Sequence, residues 1–129
     1  EGTGHTPYAF QRHVGAAKAG IDRMMQNLAL EWGPHGIRVN SIVPGPIAGT
    51  EGMKRLGGDD HQRRGGQGVP LGRMGTVEDI AQAALFLCSP MANWITGVVL
   101  NVDGGSGLAG SANFNANAAR LLAEAQGAS

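Results

Sequence analysis

Between residues 10 and 32, apolar side chains return every three or four positions: Val14, Ile21, Met25, Leu28 and Trp32. That period puts them on one side of a helix running from about Phe10 to Trp32, and Gly33, Pro34 and Gly36 stop it. The period then changes. Ile37-Arg38-Val39-Asn40-Ser41-Ile42-Val43 is short, rich in β-branched residues and closed by Pro44-Gly45-Pro46, which predicts a strand. Residues 49–75 are rich in Gly and charge with no sustained period, which predicts a mobile loop with a short helix near Glu51 to Leu56. Thr76 and Asp79 have capping-box spacing, with Asp in place of the more usual Glu, and open a helix from Val77 to about Cys88. Ser89-Pro90 ends that helix. Val98-Val99-Leu100-Asn101-Val102 is a second predicted strand, terminated by Asp103-Gly104-Gly105. Beyond Gly107 the chain is rich in Ala and Asn, with a short helix predicted near Ala118 to Ala125.

Helix, strand, helix, strand predicts two neighbouring parallel strands joined by a right-handed crossover, as in an open α/β sheet. Such strands read as continuously apolar because helices cover both faces, and two strands are too few to stand alone. The expectation is therefore a doubly wound parallel sheet whose earlier strands are absent from these 129 residues.

Composition narrows the function. Ten Lys plus Arg against ten Asp plus Glu give a net charge of zero, and no stretch interleaves aromatic with basic residues, so nucleic acid is not an expected partner. No apolar run approaches the roughly 20 residues that span a bilayer, so no membrane partner is expected either. The single cysteine, Cys88, follows Ala83-Ala84-Leu85-Phe86-Leu87 and is expected to be a buried thiol. His5, His35 and His61 lack metal-ligand spacing, so no metal site is predicted. Gly65-Gly66-Gln67-Gly68 follows Arg63-Arg64 in a loop and opens no helix, so it does not read as a phosphate cradle.

Lys18 is the first chemical clue, because it shares the apolar stripe with Val14, Ile21 and Met25. Its four-carbon stem can cover apolar surface while the ammonium reaches water. Alternatively, it stands at the wall of a cleft, where its charge binds ribose hydroxyls and lowers the pKa of a neighbouring proton donor.

The series Ala16-Ala17-Lys18-Ala19-Gly20, Leu28-Ala29-Leu30-Glu31-Trp32-Gly33, Ile37-Arg38-Val39-Asn40, Pro44-Gly45-Pro46-Ile47 and Asp103-Gly104-Gly105 resembles the latter half of short-chain dehydrogenase/reductases, in one unbroken order from about Arg12 to Gly107. The resemblance implies a Rossmann-like fold, with residues 1–129 as the C-terminal half of one nicotinamide-binding domain and 49–75 as a substrate loop. In that family the lysine ends a Tyr-x-x-x-Lys motif, in which the tyrosine is the acid or base and the lysine holds the nicotinamide ribose. Here the tyrosine position is Val14. Dienoyl-CoA reductases also lack that tyrosine, because hydride goes to a conjugated thioester and the proton to carbon. Gln11, His13, Gly15 and the run from Gly45 to Gly58 are similar to the peroxisomal type of these enzymes.

This resemblance implies an NADPH-dependent reduction of 2,4-dienoyl-CoA, with Lys18 as catalytic and ribose-binding residue and Pro44, Gly45, Pro46, Ile47, Ala48, Gly49 and Thr50 along the nicotinamide and phosphate side. Main-chain groups two residues apart would hold both polar ends of the nicotinamide amide. Arg55 corresponds to a position that contacts the acyl-CoA substrate, where a guanidinium can fork onto phosphate oxygens, or else it is an exposed loop charge beside Lys54. Asn40 is expected to be a structural amide bridging loops, and Asp103 a turn former. His13 adjoins Val14 and is a weaker candidate acid. The family association implies a homodimer or homotetramer. Gly127-Ala128-Ser129 is unlike a Ser-Lys-Leu peroxisomal address, which leaves a cytoplasmic location as the expectation. The alternatives are another short-chain dehydrogenase/reductase acting on an unrelated carbonyl and a non-catalytic scaffold member.

Overall fold

The structure, a computed structural model, describes residues 12–51, 66–111, 120 and 122–127. Helix α1 spans Arg12–Trp32, strand β1 Ser41–Pro44, helix α2 Val77–Cys88 and strand β2 Val99–Val102. Short 3-10 turns follow α1 at Gly33–His35 and α2 at Pro90–Ala92. Gly36 takes the left-handed conformation that ends the first of them, with φ of 72°. The predicted short helix near the C-terminus is represented by helical backbone at 120 and 122–127; the one near Glu51 to Leu56 lies, beyond its first residue, outside the described residues.

The two strands pair in parallel, with Ser41 opposite Val99 and Pro44 opposite Val102, and α2 packs across both. The first strand begins four residues later than the β-branched run predicts. Side chains account for the difference. Thr96 Oγ1 accepts from Val39 N–H at 3.1 Å, and Asn40 Oδ1 accepts from Val98 N–H at 3.1 Å, so side-chain oxygens occupy two places that strand carbonyls would fill. Asn40 Nδ2 also donates to Ile95 C=O at 3.2 Å. The amide thus bridges the entry of β1 to the loop before β2, as expected of it. Removing it leaves one partly buried donor without its acceptor, so Asn40→Ala should lower unfolding stability by about 1–2 kcal/mol, a loss that chemical denaturation would measure.

The capping box at α2 is fully formed. Thr76 Oγ1 accepts from Asp79 N–H at 3.2 Å, and Asp79 Oδ2 accepts from Thr76 N–H at 2.8 Å. At the other end, Leu87 is buried whereas Cys88 is exposed, contrary to the expected buried thiol. Successive helical residues point about 100° apart, and in the last turn Leu87 takes the inward direction.

Burial is sparse along α1. Met25 and Ala29 are buried, but Ile21, Met24, Leu30 and Trp32 are exposed. An apolar stripe of this kind needs a sheet or a second helix over it, and the two described strands supply only part of that cover. Among the described residues, no helix is long and apolar enough to cross a membrane.

Candidate cofactor site at the carboxyl ends of the strands

Beyond Pro44 the chain leaves the ladder through Gly45, whose N–H still donates to Val102 C=O at 3.1 Å. A side chain at Gly45 would place Cβ 2.7 Å from the Cα of Asp103, so only glycine lets the exits of β1 and β2 lie this close. Asp103 is a turn former, as its sequence context predicts: Oδ1 accepts from Gly105 N–H and Oδ2 from Gly107 N–H, each at 2.9 Å.

The next residues meet a second segment side by side. Gly75 N–H donates to Pro46 C=O at 2.9 Å and Ala48 N–H donates to Gly75 C=O at 3.0 Å, giving a parallel bridge between Ile47 and Gly75. One main-chain pair two residues apart, Pro46 C=O and Ala48 N–H, is therefore engaged by Gly75. Alternation along an extended chain turns the N–H and C=O of Ile47 to the opposite side, and Thr50 Oγ1 donates to that carbonyl at 3.0 Å. The Ile47 N–H and the second lone pair of its C=O stand side by side and match a carboxamide, so this edge fits a nicotinamide.

An open cleft of about 450 Å³ lies here, walled by Gly45, Pro46 and Ile47 on one side, Pro70 and Leu71 on another, and Asp103, Gly104 and Gly105 on a third. Val69 is buried beneath it, and Leu71 N–H donates to Gly104 C=O at 3.2 Å. The cleft also takes in Arg73 and Asp79, a pair that sequence reasoning did not single out. Arg73 grips both carboxylate oxygens of Asp79, at 2.7 and 3.1 Å. The Arg73 bonds, followed by the Thr76 N–H, hold the Asp79 carboxyl well below the usual carboxylate range, and the same contact raises Arg73. Both stay charged at neutral pH.

Lys18 does not line this cleft, nor do Pro44, Ala48, Gly49 and Thr50. Two contacts fix how α1 lies against the sheet. Ser41 Oγ, at the first residue of β1, donates to Asp22 Oδ1 at 3.1 Å. Two turns later Ala29 faces Gly97, ahead of β2, where an added Cβ would lie 3.5 Å from the Ala29 methyl. The helix therefore runs antiparallel to the strands. Lys18, one turn before Asp22, lies about 6 Å further toward their carboxyl ends, the side on which open α/β sheets bind ligands. Its side chain is exposed, as is that of His13, while Val14 is half-buried. Arg55 lies outside the described residues. Among those residues, no three potential ligands gather in a metal-binding cluster.

A second cleft, about 540 Å³, lies at the opposite end between Gly33–Arg38 and Asn93–Thr96. The only charged side chain in its wall, Arg38, donates to Ile95 C=O at 3.3 Å, so the carboxyl end is the better candidate.

Residues 3–107 match a family model described as enoyl-(acyl carrier protein) reductase. A short-chain dehydrogenase of known structure from Bacillus anthracis shares 49% identity, with a TM-score of 0.62, over 73% of this chain and 36% of its own. The chain belongs to the short-chain dehydrogenase/reductase family. It is 53% identical over 96 residues to the peroxisomal, (3E)-enoyl-CoA-producing 2,4-dienoyl-CoA reductase of Saccharomyces cerevisiae, covering 74% of this chain and 33% of that protein. With the protein of the same name from Pongo abelii it shares 46% over 123 residues, 88% of this chain and 42% of that one. The chain thus spans between a third and about two fifths of these relatives, and its two parallel strands and flanking helices are part of the family's Rossmann-like sheet.

Proposed function

We propose that the chain is the C-terminal half of the nicotinamide-binding domain of an NADPH-dependent reductase that converts 2,4-dienoyl-CoA to 3-enoyl-CoA. The observation that carries this reading is Val14, half-buried one helical turn before Lys18. A ketone reductase needs a proton donor there for the nascent alkoxide. A dienoyl thioester needs none, because its charge delocalises onto the thioester and the proton goes to carbon. The similarity to enzymes named for this reaction supports the same choice.

When bound, the reduced nicotinamide supplies a hydride to the δ carbon of the diene, water supplies the proton at the α carbon, and the double bond moves to the third position. The residues of this chain bind and orient. Lys18 holds the nicotinamide ribose hydroxyls, and the main-chain edge of Ile47 meets the carboxamide. Gly45 lets the exits of β1 and β2 converge and Pro46 walls the cleft, while Pro44 and Ala48 to Thr50, outside the cleft lining, are assigned to the phosphate side. Residues 49–75 are assigned to the substrate, with Arg55 pairing with CoA phosphates. The earlier strands of the sheet, together with further copies in a homodimer or homotetramer, cover the apolar side of α1. Reaction with NADPH deuterated at the transferable position, followed by mass spectrometry, should give an enoyl-CoA with one deuterium on the δ carbon; deuterium on a carbinol carbon instead would refute the assignment.

Because the phosphates of CoA are remote from the reacting carbons, a contact to them acts as uniform binding. Arg55→Ala should raise the KM for dienoyl-CoA roughly tenfold or more with kcat little changed, as expected for the loss of a charged hydrogen bond. Steady-state kinetics would check this, and an unchanged KM would remove Arg55 from the substrate site.

A further inference from the structure

Arg73 and Asp79 occupy an unusual place for a largely solvent-facing ion pair. The side chains are 56% and 32% exposed, and a pair so screened contributes little to stability. Its connections are more informative than its strength. Arg73 reaches both Asp79 oxygens and also donates to Met74 C=O at 3.0 Å. Asp79 in turn accepts from both the N–H and the Oγ1 of Thr76, at 2.8 and 3.1 Å. Gly75 stands between Met74 and Thr76, and both of its neighbours are therefore fixed. Gly75 is also the residue that takes Pro46 C=O and Ala48 N–H, leaving the Ile47 edge turned outward.

We infer that Arg73 and Asp79 are positioning residues: through Gly75 they clamp the segment Pro46–Ala48 and so set the direction of the Ile47 main-chain edge. The inference extends the cofactor site proposed above, and for its effect on binding it rests on that reading. The same knot ties the end of the 49–75 segment to the start of α2, so loop, helix cap and cofactor segment share one anchor. Two parallel guanidinium–carboxylate bonds suit this task better than one point contact, because the fork fixes orientation as well as distance.

Three variants of the full-length protein separate positioning from plain stability. Arg73→Ala removes the fork. Asp79→Asn keeps an oxygen for the helix cap but loses the charge, and Asp79→Glu restores the carboxylate in the residue a capping box ordinarily uses. Hydrogen exchange at the Gly75 and Ala48 amides reports the clamp directly, without any ligand. Exchange there should quicken in Arg73→Ala and Asp79→Asn, largely recover in Asp79→Glu, and be accompanied by an NADPH Kd raised roughly 10- to 100-fold, the scale of loss from misplaced binding groups. The thermal midpoint should move little. Unchanged exchange in both disrupting variants would overturn the clamp. Faster exchange with an unchanged NADPH Kd would overturn its role in the cofactor site. A wild-type protein that binds neither NADPH nor NADH would refute the cofactor assignment itself, and the exchange measurement would still decide whether Arg73 and Asp79 hold Gly75 in place.

Discussion

Gly45→Ala should be among the most damaging single-methyl changes available to this protein. The added carbon would stand 2.7 Å from Asp103 Cα, 2.8 Å from its Cβ and 2.9 Å from its carbonyl oxygen. Two of these are main-chain atoms held by the β-ladder and by the Asp103 turn, so relief requires the strand exits to part. Overpacking of this kind costs about 1–3 kcal/mol, and here it would also displace the Ile47 edge. Gly75→Ala is the informative contrast: its added carbon also meets an atom at 2.7 Å, but that atom is the terminal methyl of Ile47. A rotamer change at Ile47 relieves the clash at a cost of about 0.5–1.5 kcal/mol. Denaturant titration of both variants, with NADPH binding measured alongside, should show Gly45→Ala losing stability and affinity together and Gly75→Ala retaining most of both.

Lys18→Ala should have the opposite profile, with stability preserved and function lost. The side chain is exposed in the middle of α1, and Ala is the better helix former, so unfolding should be unchanged or slightly harder. If the ammonium holds ribose hydroxyls, losing a charged hydrogen bond of about 1.5–3 kcal/mol weakens NADPH binding by roughly 10- to 100-fold and lowers turnover with it. A lysine whose stem merely covers apolar surface would change neither. Fluorescence titration of NADPH together with a melting curve distinguishes the two roles.

How much of this was legible in the sequence depends on how local each signal is. The bounds of α2 follow from Thr76, Asp79, Ser89 and Pro90, which act within one turn of the helix ends, and the structure has them there. Strand β1 was displaced because Asn40 and the distant Thr96 supply acceptors that no local pattern reveals. At the site, Pro44-Gly45-Pro46 marks the end of the strand, but the reason position 45 is glycine, the approach of Asp103 from 58 residues away, is tertiary. The Arg73–Asp79 fork was missed because it crosses from a loop into a helix with no shared period. The signal that could have found it is an arginine just before a capping box whose third position is already acidic. Cys88 is exposed, and the sequence does not show it for a related reason: an apolar run shows that a helix end is packed, but not which of two adjacent residues turns inward.

The proposed dienoyl-CoA substrate, argued from Val14 at the position of the proton donor, is tested most directly by comparing, in the full-length protein, NADPH oxidation with a 2,4-dienoyl-CoA and with simple ketones. The account predicts rapid loss of NADPH absorbance with the dienoyl-CoA and little with any ketone, because Val14 has no proton to give. Equal or faster turnover of a ketone would contradict it.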